Sequence, residues 1–102
     1  MDPFVLFNLG SNTVQSNVKN NSGKSANWSQ SLSLQRTSQD ELGIVVLDHQ
    51  DSLNHRTIGY TFVSIKKCLF SKEPLKFSNL ALYYQGEVAG EINLEIQFEP
   101  DL

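Results

Sequence analysis

The sequence predicts an all-β fold, an antiparallel β-sandwich of about seven short strands. Three observations carry that reading. Apolar and polar residues alternate at period two in several segments. Clusters of Asn, Ser, Gly, Asp and Pro separate those segments. Nowhere do apolar residues recur at helical spacing for a dozen residues. Short strands joined by turn-rich connections bury their apolar faces by stacking as two antiparallel sheets.

Residues 4–9 open the pattern, with Val5, Phe7 and Leu9 on one face and Phe4 and Leu6 on the other, until Gly10-Ser11-Asn12 supplies turn chemistry. Residues 13–18 form the second segment. In residues 28–34, Trp28, Gln30, Leu32 and Leu34 share a face opposite Ser29, Ser31 and Ser33. Leu42, Ile44 and Val46 alternate with Gly43, Val45 and Leu47, so both faces are largely apolar and the strand is central. Residues 58–65 and 80–85 follow. Last, Ile92, Leu94, Ile96 and Phe98 alternate with Glu91, Asn93, Glu95, Gln97 and Glu99, a half-buried strand whose glutamates face water until Pro100 ends the ladder. Loops fall at residues 20–23, 37–40, 48–56 and 71–74, and residues 66–72 suit one short helical turn.

The 102 residues form one domain, 39% hydrophobic and 19% charged, which argues against disorder. A net charge of -3 excludes a nucleic-acid binder held by phosphate contacts. No apolar run approaches the ~20 residues of a membrane span, and the N-terminus lacks a secretory pattern. A cytoplasmic location with peripheral membrane contact is the expectation. The single cysteine, Cys68, excludes an internal disulfide and reads as a small hydrophobe. The glycosylation sequons at Asn20 and Asn27 are read as chance in an Asn- and Ser-rich chain. No Gly-x-Ser-x-Gly elbow or phosphate-binding glycine loop occurs, so no enzyme is expected.

An ordered set of motifs goes further: Asp2-Pro3-Phe4-Val5, Trp28 opening the third strand, Leu42-x-Ile44-x-Val46-x-Asp48, Ile58-Gly59, and Gly90-Glu91-Ile92-x-Leu94. Together these resemble a C2 domain from Asp2 to Phe98. The resemblance implies an eight-stranded sandwich whose loops bind calcium and phospholipid at one end, or which docks on proteins. The family's usual first strand has no counterpart before Asp2. It would lie between the segments 4–9 and 91–98. Either the sequence is a piece of, or a module within, a larger protein, or another segment fills the gap, or the neighbours close up.

The same resemblance places calcium ligands at Asp2 and Asp48, with Asp51 out of register but nearby. The family's other third-loop aspartates fall at Gln50 and Arg56, one neutral and one positive, where a cation wants six to eight oxygens. A weak or vestigial calcium site is the expectation, with no other cofactor. His49 and His55 flank the same loop beside Asp48 and Asp51, a spacing that could suit zinc or another transition metal, but spacing on a loop fixes no geometry and they are read as exposed loop histidines. For lipid, Lys19 and Lys24 match the family's concave strands, and Leu53 stands at the loop's middle. Lys66, Lys67 and Lys72 form a basic cluster for an acidic partner. Tyr83 and Tyr84 are adjacent on one strand, so one must present an aromatic surface, and Tyr84 is assigned to a partner.

Two functional readings follow. One is a non-catalytic docking module, calcium-independent or weakly calcium-binding, for a protein partner or an anionic membrane. The alternative is calcium-dependent phospholipid binding through Asp2 and the loop from Asp48 to Arg56.

Overall fold

A computed structural model of the chain describes residues 2–19, 31–36, 38–51, 54–71 and 73–99. These fold as strands β1 (Pro3–Leu9), β2 (Asn12–Gln15), β3 (Glu41–His49) and β4 (His55–Ser64), a short helix α1 (Lys66–Ser71), and strands β5 (Leu75–Tyr84) and β6 (Glu87–Ile96). Every strand pair is antiparallel, in the order β2-β1-β3-β4-β5-β6.

The alternation read in the sequence becomes the core. Val5 pairs with Val46 and Phe7 with Ile44, and across β3 Leu42 lies opposite Val63, so one face of β1, β3 and β4 presents a continuous apolar surface. Ile44, apolar on both its neighbours, is fully buried. Against this surface the β5–β6 hairpin folds over. Described residues of β4 and β5 pair at one position, Tyr60 opposite Tyr83, and beyond it the hairpin leaves the plane of β4. Leu82 then joins Val5, Leu9, Leu42, Ile44, Val46 and Val63 in one cluster, with Phe77, Leu80, Ile92, Leu94 and Ile96 packed against it. The result is the predicted C2-like antiparallel β-sandwich.

The edge of β1 left open by the missing strand is covered by the chain that follows it, while β6, the other expected neighbour, ends the strand order among the described residues. β2 turns back on β1, placing Val14 opposite Phe7 and Gln15 opposite Leu6. The backbone pairing runs on past β2: Ser16 N–H donates to Val5 O at 2.8 Å and Lys19 N–H to Pro3 O at 3.0 Å. The buried Ser16 hydroxyl accepts the Val5 N–H at 2.8 Å and donates to Asn17 O at 3.0 Å, so β1 is hydrogen-bonded along both edges.

Trp28 and residues 20–30 lie outside the described residues, and residues 31–34, the described part of the strand expected over 28–34, form no ladder although their exposure alternates at period two. Three differences in bounds matter. The last strand runs Glu87–Ile96, so it starts before Glu91 and ends ahead of Pro100. β5 begins at Leu75 rather than residue 80. Asn79 takes a left-handed φ of 56°, its N–H donating to Asn93 Oδ1 at 2.6 Å, and this irregularity breaks the apolar alternation that would have revealed the strand's first half. Third, the loop expected over residues 48–56 shrinks to 50–54, because Asp48 and His49 extend β3 while His55 and Arg56 extend β4. The short turn over residues 66–72 forms α1, where Cys68 is 1% exposed and its thiol donates to Ile65 O at 3.1 Å.

Candidate functional site

The loop end is built on the extended β3–β4 ladder. Asp48 lies opposite Arg56 and His49 opposite His55. Side chains alternate across a strand, so the ion pair and the histidine pair project from opposite faces. Opposite charges and stacked rings facing each other across the ladder favour its continuation, which is why these residues are strand rather than loop. A register shift between Val46 and Leu47 lets Ile58 stand as an extra residue on β4.

Asp48 is 7% exposed and both of its carboxylate oxygens are engaged. Oδ1 accepts the Asp2 N–H at 2.9 Å, and Oδ2 faces the Arg56 guanidinium Nη2 at 3.4 Å. Asp2 in turn accepts the His49 N–H on its backbone carbonyl at 2.9 Å, so residue 2 is tied to β3 from both sides. The Arg56 side chain is largely exposed, which keeps the ion pair in the range of about 0–1 kcal/mol. Its effect on chemistry is larger than on stability, because a guanidinium occupies space beside the most buried carboxylate of the loop end.

Asp51 serves the turn. Its Oδ1 accepts the Asn54 N–H and its Oδ2 the Asn54 side-chain amide, both at 2.8 Å, while Gln50 and Asp51 N–H groups donate to Asn54 O. These bonds tie Asp51 to Asn54 across the loop between β3 and β4. Among the described residues, no three His, Cys, Asp or Glu side chains are grouped to hold one ion. Calcium at this end would have to displace Arg56 from Asp48 and Asn54 from Asp51 to collect the oxygens it requires.

The remaining predicted residues separate. Lys19 lies beside Pro3, bonded through its backbone, and its side chain is half-buried. Lys24, Leu53 and Lys72 lie outside the described residues. Lys66 and Lys67 are exposed on α1, past the end of β4 remote from His55. Tyr84 sits at the opposite end of the molecule, lining a shallow depression with Arg56, Thr57 and Ile58. The nine steps of β4 separate these two ends by roughly 30 Å, so Tyr84 and the α1 lysines serve different surfaces. Tyr83 and Tyr84 are both exposed, because the hairpin is diverging from β4 where they stand.

Sequence reasoning passed over two features. Tyr60 and Phe62 share the outer face of β4, are 41% and 62% exposed, and meet edge to face at 6.5 Å. Their period-two spacing was the available signal. The other is that His49 and His55, noted for their spacing, stand directly opposite one another, which follows from strand register.

Among the described residues no helix is long and apolar enough to cross a membrane. Searches of curated proteins and of solved structures find no significant match. The family description that matches is C2 domain, over residues 1–80, from the Asp2 end through β4 and α1 into β5. Domains of this kind are in general non-catalytic modules for membrane or protein interaction. With that match spanning most of the sequence and an antiparallel sandwich beneath it, the chain belongs to the C2 domain family.

Proposed function

We propose that this C2 domain is a non-catalytic docking module that works without calcium, or with weak millimolar calcium binding, and joins a protein partner, with peripheral association at an anionic membrane as its second contact. The observation that carries this reading is the state of Asp48. Its two oxygens are taken by the Asp2 N–H and the Arg56 guanidinium, where a calcium-dependent domain needs carboxylates converging on an ion. Protein docking is supported by exposed aromatic surface: Tyr60, Phe62, Tyr83 and Tyr84 of β4 and β5 are all exposed. Large aromatic side chains with few rotatable bonds are the side chains that anchor protein interfaces. In this reading Tyr84 contacts the partner, and Lys66 and Lys67, with Lys72, offer a separate cationic surface to acidic groups.

Membrane contact would use Lys19, Lys24 and Leu53. Each lysine beside an anionic surface contributes about 1 kcal/mol, and salt weakens it. Sedimentation with vesicles of graded phosphatidylserine content, with and without calcium, tests the division of labour. Weak, salt-sensitive pelleting unchanged by calcium is expected. Pelleting that appears only with calcium supports the alternative, calcium-dependent phospholipid binding through Asp2 and the Asp48 to Arg56 loop end. Absence of pelleting in both conditions removes the membrane half of the proposal.

A further inference from the structure

On the face of the β3–β4 ladder opposite Asp48, the imidazoles of His49 and His55 lie with their Nδ1 atoms 3.3 Å apart. Their ring centroids are 5.1 Å apart with the planes tilted by 35°. Both rings also pack T-shaped against Phe4, at centroid distances of 6.3 and 5.0 Å and interplanar angles of 73° and 74°. Phe4 is 3% exposed and fixed in β1, whereas His55 is exposed and His49 half-buried. The pair is therefore braced from below by an apolar ring and open to solvent above.

We propose that His49 and His55 form a two-imidazole chelate, through their Nδ1 atoms, for a late first-row divalent cation of the zinc class. The distance between the nitrogens is the first support. Two imidazole nitrogens bound to a tetrahedral zinc at 2.0–2.1 Å stand about 3.3–3.4 Å apart, and 3.3 Å is the separation already present. Across this contact one nitrogen donates a hydrogen bond to the other, the roles set by the tautomers. A cation bound by both nitrogens takes the place of that hydrogen.

The second support is preorganisation. The two residues are directly opposed in adjacent strands, and contact with the buried Phe4 ring limits rotation of both imidazoles, so ordering them on binding costs little. Chemistry selects the ion. Imidazole suits zinc, nickel and copper, while calcium and magnesium demand oxygen. Asp48 and Arg56, the nearest charged residues on the same strands, project to the other face and supply no ligand here. The remaining coordination positions are left to water or to donor groups of a docked partner.

Calorimetric titration of the full chain with zinc chloride, repeated in excess calcium, tests the proposal together with His49→Gln and His55→Gln. One zinc per chain is expected, undiminished by calcium. Removing either ligand forfeits the chelate and weakens binding roughly 100-fold. Thermal melts verify that each variant folds. If one does not, zinc titration of the unaltered chain followed by nitrogen-15 spectra of the histidine rings decides, with the Nδ1 signals of both rings expected to shift. No saturable zinc binding, equal binding by either folded variant, or ring signals that stay in place overturns the proposal. The vesicle experiment is independent of this result, since it contains no zinc.

Discussion

Gly59 stands where the β5–β6 hairpin crosses β4, and its replacement by alanine tests the stacking of the two layers. A Cβ added there would lie 2.9 Å from Leu82 Cβ and 3.3 Å from Ala89 Cβ, with Tyr83 O at 3.6 Å. Carbon atoms settle about 3.5–4.0 Å apart, so Leu82 would have to retreat by at least ~0.6 Å. Its near atom is a Cβ on the backbone, not the tip of a flexible side chain, so the hairpin itself must move. Overpacking of this sort costs about 1–3 kcal/mol. Against it stands the ~0.4–1 kcal/mol that alanine gains by restricting the unfolded chain. Taking the middle of each range leaves a loss of ~1.3 kcal/mol. In a domain of this size that lowers the melting temperature by roughly 5–10 °C. Urea unfolding followed by tryptophan fluorescence and circular dichroism measures it, with the midpoint falling and the slope unchanged. Adding Ala89→Gly to Gly59→Ala should recover part of the loss, because it removes the second of the two contacts. A Gly59→Ala protein as stable as the parent, or more stable, would show that the hairpin does not press on β4 at this point.

Three further outcomes are expected. Ser16→Ala removes the hydroxyl that accepts the Val5 N–H and should cost about 1–3 kcal/mol in denaturant unfolding, since a buried donor is left unpaired; an unchanged midpoint contradicts the pairing of β1 with the segment after β2. Gln85→Asn should stabilise by about 0.5–1 kcal/mol, because Gln85 and Gly86 hold φ of 53° and 83° in the two-residue turn of the β5–β6 hairpin, where Asn-Gly is favoured; a lower midpoint would speak against that turn. Gln50→Asp combined with Arg56→Asp should raise calcium affinity, since three units of negative charge are gained around Asp48 and the guanidinium is removed from its Oδ2; calorimetric titration giving no change would show the assigned loop register to be wrong.

How much of this was written in the sequence depends on how local the signal is. β1 and β3 were legible as short runs apolar on both faces and bounded by turn residues, with Ile44 fully buried, and β6 because its alternation is strict and its glutamates are exposed. The first half of β5 was hidden by Asn79, whose left-handed backbone puts Phe77 and Leu80 on one face at a spacing no strand template contains. The loop end was half-legible. Asp2 and Asp48 were named from motif resemblance and do meet, but as a backbone donor and its acceptor. That Arg56 reaches Asp48 and that His49 faces His55 are consequences of register, set by the extra residue at Ile58, which no spacing along the chain encodes. The covering of β1 by the chain just after it was likewise a matter of which edge a four-residue strand chooses.

Calorimetric titration of the unaltered domain with calcium, without lipid, bears most directly on the idea that Arg56 has taken the place of an ion beside Asp48. Heat that fails to saturate below the millimolar range is the predicted result. A micromolar site of the strength found in calcium sensors, abolished by Asp48→Asn, would contradict it.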